Sequence, residues 1–277
     1  MTEKATEHAN QRATTGSRRG LWRMPALSMR WVPVWRRNAL VWRKLAIPSM
    51  LGNLADPMIY MLGLGYGLGA MLPPVGDVPY IVFLSAGTVC FSTMNSATFE
   101  GMYSAFSRMH VQRTWDAILN APIELDDVVF AELVWAASKA FLSGLAIMGV
   151  IWLLGLSTSP LSLAVLLVIP LIGLAFGALA LIVTAFAPSY DFFMYYFTLV
   201  ITPMAMLCGV FFPVAQLPGW LQAASLALPL THATALVRPL LQGQVPELAW
   251  MHAAILLAWA VGGFYAAVVL LRRRLLS

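Results

Sequence analysis

Side chains able to do chemistry are sparse in this sequence, and their spacing argues against a catalytic centre. The four histidines, His8, His110, His232 and His252, are scattered, with no carboxylate or thiol at ligand spacing around them. Cys90 and Cys208 lie far apart in separate apolar stretches, so they read as buried, inert thiols rather than a metal site or a disulfide. The one dense carboxylate group is Glu124, Asp126 and Asp127. Such a trio could pair acids or hold a cation, but it stands just before an apolar run. Negative charge there meets the positive end of a helix, and a helix start is the expected role. No GxxxxGK[ST] phosphate loop, GxSxG turn or HExxH helix occurs. We therefore expect no catalytic residue, no metal and no cofactor on this chain.

Composition explains what surrounds these few groups. The 277 residues are 60% hydrophobic and 10% charged, with a mean hydropathy of +0.77. Soluble domains carry roughly 25% charged residues, so lipid is the expected solvent. Stretches from Pro57 to Gly76, Val78 to Phe99, Ala140 to Tyr190, Phe192 to Val237 and Leu248 to Leu271 contain no Asp, Glu, Lys or Arg. A spanning helix needs about 20 mostly apolar residues. The sequence predicts an all-α integral membrane protein with six spans, at about 46–70, 79–100, 131–156, 161–187, 192–213 and 249–271.

Residues 1–20 are polar and read as a disordered cytoplasmic tail without a signal peptide. Over 21–45, Arg23, Arg30, Arg37 and Lys44 recur every seven residues, opposite Leu27, Trp31, Val34, Trp35, Trp42 and Leu45. This pattern predicts an amphipathic helix lying at the membrane interface, near anionic lipid, with Pro33 starting its continuous part. Cations placed directly before a span argue for membrane rather than nucleic acid. Ten of the 17 Lys and Arg precede the first span, Arg272 to Arg274 follow the last, and Arg108 and Arg113 follow the second. The positive-inside rule then puts both termini in the cytoplasm.

Few polar groups sit inside the spans. Asp56 precedes Pro57 near the start of the first, where capping or pairing is expected. Gly63, Gly65, Gly67 and Gly69 follow, suited to close helix packing. Lys139 is expected to reach for the cytoplasmic interface. Tyr60, Tyr66, Tyr103, Tyr195 and Tyr196 are candidate path-lining residues, since aromatic faces stack on sugars and apolar surface; packing is the competing role. After the fifth span, Pro213, Pro218 and Pro229 break an apolar stretch. Short re-entrant helices are expected there, with Pro213, Pro218, His232 and Arg238 forming an external gate region.

The polar stretch from Gly101 to Glu132 interrupts the apolar blocks. Phe106, Met109, Val111, Trp115, Ile118 and Leu119 predict one short amphipathic helix from Ala105 to Leu119, stopped by Asn120-Ala121-Pro122. An ordinary solvated loop and a loop that receives force from a partner are both open on these residues.

Taken in order, WRRNALVWRK, GNLADPMIYMLGLGYGLG, RTWDAILNAPIELDDVVFAEL and GVFFPVAQLPGWLQ…LPLTHATALVRPL resemble permease subunits of type-2 ABC exporters. Within that family they are similar to its nodulation branch, over residues 31–274. The resemblance implies a transmembrane domain over 46–274 in the bacterial inner membrane. It implies pairing with a second permease copy and with an ABC ATPase resembling nodulation protein I, which would carry ATP and Mg. It further implies export of a lipo-chitooligosaccharide glycolipid, with Arg108, Arg113, Trp115, Asp116 and Pro122 in the ATPase-coupling loop. Permeases for drugs, polyketides or polysaccharides share this architecture. An ion-coupled secondary transporter is the alternative of another class; it would need charges at mid-membrane and paired repeats.

Overall fold

A computed structural model describes residues 21–276, except for the side chains of Asn53 and Asp56. The expected tail over 1–20 lies outside the described residues. Among these the fold is all-helical, with a single isolated bridge between Val75 and Val78 as the only strand-like pairing. Four helices are long and apolar enough to cross a membrane: Tyr80–Val111, Leu125–Leu153, Pro160–Phe186 and Ala249–Leu276. We label the elements α1 (Trp31–Arg43), α2 (Ala46–Leu62), α3 (Tyr80–Phe99), α4 (Thr114–Leu119), α5 (Leu125–Leu153) and α6 (Val165–Phe186). There follow α7 (Asp191–Tyr196), α8 (Thr202–Leu207), α9 (Gly219–Ser225), α10 (Pro229–Leu241) and α11 (Ala249–Leu276).

Helices α3, α5, α6 and α11 form the central bundle. Its core holds Met94, Ile147, Ile169, Ile172 and Phe176, all fully buried, and a second cluster around Trp115, Phe193 and Val268 closes one end. Arg272 and Arg274 of α11, Asp126 of α5 and the last residues of α6 meet at that end, which we call the charged end. At the opposite end α3 crosses the segment after α8 so tightly that a Cβ on Gly87 would sit 2.3 Å from the Val210 carbonyl oxygen. Only glycine allows that approach.

Three sequence expectations need correction here. Over 21–45 the helix occupies only Trp31–Arg43, and the residues before it run as a strap pinned to the bundle. Asp126 accepts the Ala26 N–H at 2.9 Å, and Asp127 accepts the Ser28 N–H and hydroxyl at 2.8 and 2.6 Å. Arg272 donates to the Arg23 carbonyl at 2.6 Å while pairing with Asp126. The acidic residues therefore hold a foreign strand of backbone as well as opening α5. The tryptophans of α1 are half-buried against α5. Trp31 packs edge-on to Phe130 at 5.2 Å and Trp35 donates to Ser138 at 3.1 Å. Of the four glycines after α2, Gly65 packs closely on Ile81, whereas Gly63 and Gly67 face open space. Gly63, Gly65 and Gly67 belong to a wide π-helical continuation, Gly63–Leu68, which Gly69 caps.

Candidate functional site

Two polar regions stand out from this apolar frame, and both are built on the long helix that starts with α3. Beyond Phe99 that helix widens into π turns at Glu100–Ser104 and Ser107–Val111, a distortion concentrated at functional positions in helices. It ends at Gln112. Arg113 then takes a left-handed backbone, φ 48°, so that α4 leaves in a new direction. The single amphipathic helix expected from Ala105 to Leu119 is thus two pieces, because the left-handed residue Arg113 interrupts it before Trp115.

The π turns carry an ion-pair network. The Glu100 carboxylate is 3% exposed and accepts from Arg108 at 2.8 Å, from the Trp135 indole at 2.8 Å and from Lys139 at 2.9 Å. Glu132, 1% exposed, accepts from Arg108 Nε at 2.9 Å, from Asn38 at 3.2 Å and from Trp115 at 3.3 Å. Two carboxylates face two cations, with indole and amide donors on the remaining lone pairs. A buried charge persists only when paired and hydrogen-bonded in this way. The network joins α1, the π turns, α4 and α5 into one unit.

The network revises several sequence expectations. Lys139 does not reach for the interface; it pairs with Glu100. Arg108 and Trp115 point into the chain and mount α4 rather than presenting themselves to a partner. Arg113 and Asp116 are exposed and 4.0 Å apart, a separation at which a surface pair contributes little. Pro122 is also exposed, and its carbonyl accepts from Arg30. Of the expected coupling residues, Arg113, Asp116 and Pro122 are therefore the ones on the outward surface.

One turn from Glu100 the same helix lines a cleft of about 500 Å³ between α2, α3 and the continuous α7–α8 segment. Tyr60, Phe91, Phe99, Phe197 and Phe211 give it aromatic walls, and Ser92, Asn95, Ser96 and Thr202 supply polar groups. Ser92 shares a 2.8 Å hydrogen bond with Ser143, and Thr202 donates to the Phe197 carbonyl at 3.0 Å. The Asn95 Oδ1 and Ser96 Oγ atoms are buried without a partner in the protein. Such atoms cost about 1–3 kcal/mol each unless something else satisfies them. The cleft can thus take a molecule with both apolar surface and hydroxyl or amide groups.

Of the five expected tyrosines, only Tyr60 lines this cleft. Tyr103 stacks on Phe99 and Tyr190 and meets Phe193 edge-on at 4.9 Å, while Tyr196 packs between the two core clusters. Tyr66 and Tyr195 are exposed, at 56% and 65%, and stand outside it. The Asp56 side chain lies outside those described; its neighbour Pro57 lines the cleft. Sequence reasoning missed Asn95 and Ser96. The signal was present, since Ser92, Asn95, Ser96 and Phe99 fall at helical spacing on one face of an apolar span.

At the opposite end Pro213 precedes a short 3₁₀ turn, Val214–Gln216, and Pro218 starts α9. Arg238 is not at a free surface: its guanidinium lies 3.9 Å from the Phe83 ring centroid and donates to the Gly209 carbonyl. His232 is buried, with Nδ1 2.7 Å from Nδ1 of His252 and Nε2 2.9 Å from the Leu226 carbonyl.

Long apolar helices around a part-polar cleft, with cations gathered at one end, define an all-helical integral membrane protein built for transport. The chain belongs to the ABC-2 type transporter family, which it matches over residues 30–241. It is 50% identical over 253 residues to nodulation protein J of Rhizobium meliloti, covering 91% of this chain and 97% of that protein. Nodulation protein J of Bradyrhizobium diazoefficiens is 47% identical over the same shares. That of Azorhizobium caulinodans is 32% identical over 66% of this chain and 72% of its own length. The resemblance to the nodulation branch is borne out.

Proposed function

We propose that this chain is the permease half of an ATP-driven exporter that moves an amphipathic glycolipid, a lipo-chitooligosaccharide, across the bacterial inner membrane. The observation that carries the reading is similarity to nodulation protein J along nearly the whole chain. The cleft supports it, because a glycolipid brings acyl surface for the phenylalanines and hydroxyls for Asn95 and Ser96. In this reading Ala46–Leu68 and Asp191–Leu207 complete six spans within a transmembrane domain over 46–274. The short helices α9 and α10 dip into the outer leaflet. The cations at the charged end face the cytoplasm with both termini.

A second copy of the chain and two copies of an ABC ATPase resembling nodulation protein I complete the transporter. ATP and Mg belong to that ATPase, consistent with the absence of a phosphate loop from this sequence. The surface formed by Arg113, Asp116 and Pro122 meets the ATPase, and the Glu100–Arg108–Glu132 network passes its movement to the helix that lines the cleft. Inverted vesicles holding the chain and its ATPase should accumulate radiolabelled lipo-chitooligosaccharide only when ATP is supplied. Accumulation of a cationic drug without that of the glycolipid would replace this cargo with a drug.

A further inference from the structure

Between α1 and the charged end of the bundle lies a second cavity, of about 260 Å³. Arg37, Arg108, Lys139 and Glu100 line it, three cations to one carboxylate, together with Ser49, Ser104 and Gln112. Trp42, Val41 and Leu45 complete its rim, and Val41 and Leu45 are 54% and 64% exposed. The charges are unequally satisfied. Lys139 and Arg108 are committed to Glu100 and Glu132. Arg37 has only neutral acceptors, Asn38 Oδ1 at 3.0 Å and Thr114 Oγ1 at 3.4 Å, and makes no ion pair among the described residues. Burial and the Arg108 cation pull its guanidinium below the usual range, with Glu132 partly offsetting them. An anion brought beside Arg37 would relieve both effects.

We infer that this cavity binds the phosphate of an anionic phospholipid from the inner leaflet, with Arg37 as its cationic contact. The headgroup enters between α1 and the π turns, hydrogen-bonding Arg37, Gln112 and Ser104. Its acyl chains leave across Val41 and Leu45. Basic pockets between helices on the cytoplasmic side suit such headgroups, whereas a rim of exposed apolar side chains gives a free phosphate ion nothing. The site is separate from the transport cleft, which lies on the other side of the Phe99–Glu100 turn.

The test is native mass spectrometry of the full-length chain released from nanodiscs containing equal phosphatidylglycerol and phosphatidylcholine. The wild type should retain phosphatidylglycerol preferentially. Arg37→Gln should lower that preference by about fivefold, the factor that roughly 1 kcal/mol per basic side chain represents. Arg37→Lys, which keeps the charge and guards against misfolding as an explanation, should retain most of it. Arg36→Gln, one position along on the exposed side of α1, should leave it unchanged. Equal losses in Arg36→Gln and Arg37→Gln would overturn the site in favour of general surface attraction. So would displacement of the retained lipid by millimolar inorganic phosphate.

Discussion

The two polar regions of this protein lie one helical turn apart and are built on opposite terms. Around Glu100 and Glu132 each carboxylate oxygen has a partner, and the partners come from α1, α4, α5 and the π turns. In the cleft, Asn95 Oδ1 and Ser96 Oγ are buried with none. A saturated buried network fixes the relative positions of the helices that feed it. Unsatisfied polar atoms beside open volume cost stability and suit a visitor that satisfies them. In the proposed reading, the contrast separates the part of the molecule that holds shape and transmits force from the part that meets cargo.

Substitutions can break or sharpen this contrast. The largest expected effect is at Glu132: replacing it by Ala leaves Arg108 to share Glu100 with Lys139 and takes the acceptor from Asn38 and Trp115, and losing one partner of a buried pair costs about 3–5 kcal/mol. Unfolding of the detergent-solubilised protein in denaturant should show that loss, and a change under 1 kcal/mol would mean that the network is not structural. A smaller step is Trp115→Phe, which keeps the ring and removes the N–H to Glu132. It should cost about 1 kcal/mol by the same measurement, without detaching α4. Arg113→Gly should do the reverse. It relieves a left-handed residue and is expected to raise stability by up to ~1 kcal/mol. Because Arg113 meets the ATPase in the proposed reading, permease-stimulated ATP hydrolysis should fall while stability rises. Ser96→Ala lies at the small end. Losing a buried hydroxyl that has no partner should raise stability by about 1 kcal/mol, the low end of that penalty, and lower export through loss of a cargo contact.

Much of the frame was legible because lipid imposes simple rules. Charge-free runs long enough to span gave the helices, and the arginines of α11 and of the π turns gave the charged end. The strap before α1 was not legible. Its heptad of basic residues reads as a helix, and only tertiary contacts with Asp126, Asp127 and Arg272 override that pattern. The ion pair of Lys139 is illegible for a related reason: its partner Glu100 lies 39 residues earlier, and local periodicity cannot show such a pairing. The cleft fell between these cases. The ring of Tyr60 suggests a path-lining role, but four other tyrosines have equal claim, and Asn95 and Ser96 carry only their helical spacing with Ser92 and Phe99. What distinguishes them is the absence of a partner, a property of the fold rather than of the residue type.

The proposed function requires the cleft to be the route of the glycolipid. Asn95→Leu keeps similar volume and removes the amide, so it is the most direct probe. Inverted vesicles with the ATPase and either wild type or Asn95→Leu should be compared for ATP-dependent uptake of labelled lipo-chitooligosaccharide. Folded protein would be quantified in both. The account predicts near-complete loss of uptake in the variant at equal folded amount, with ATP hydrolysis retained. Wild-type uptake by Asn95→Leu would contradict it and move the cargo out of this cleft.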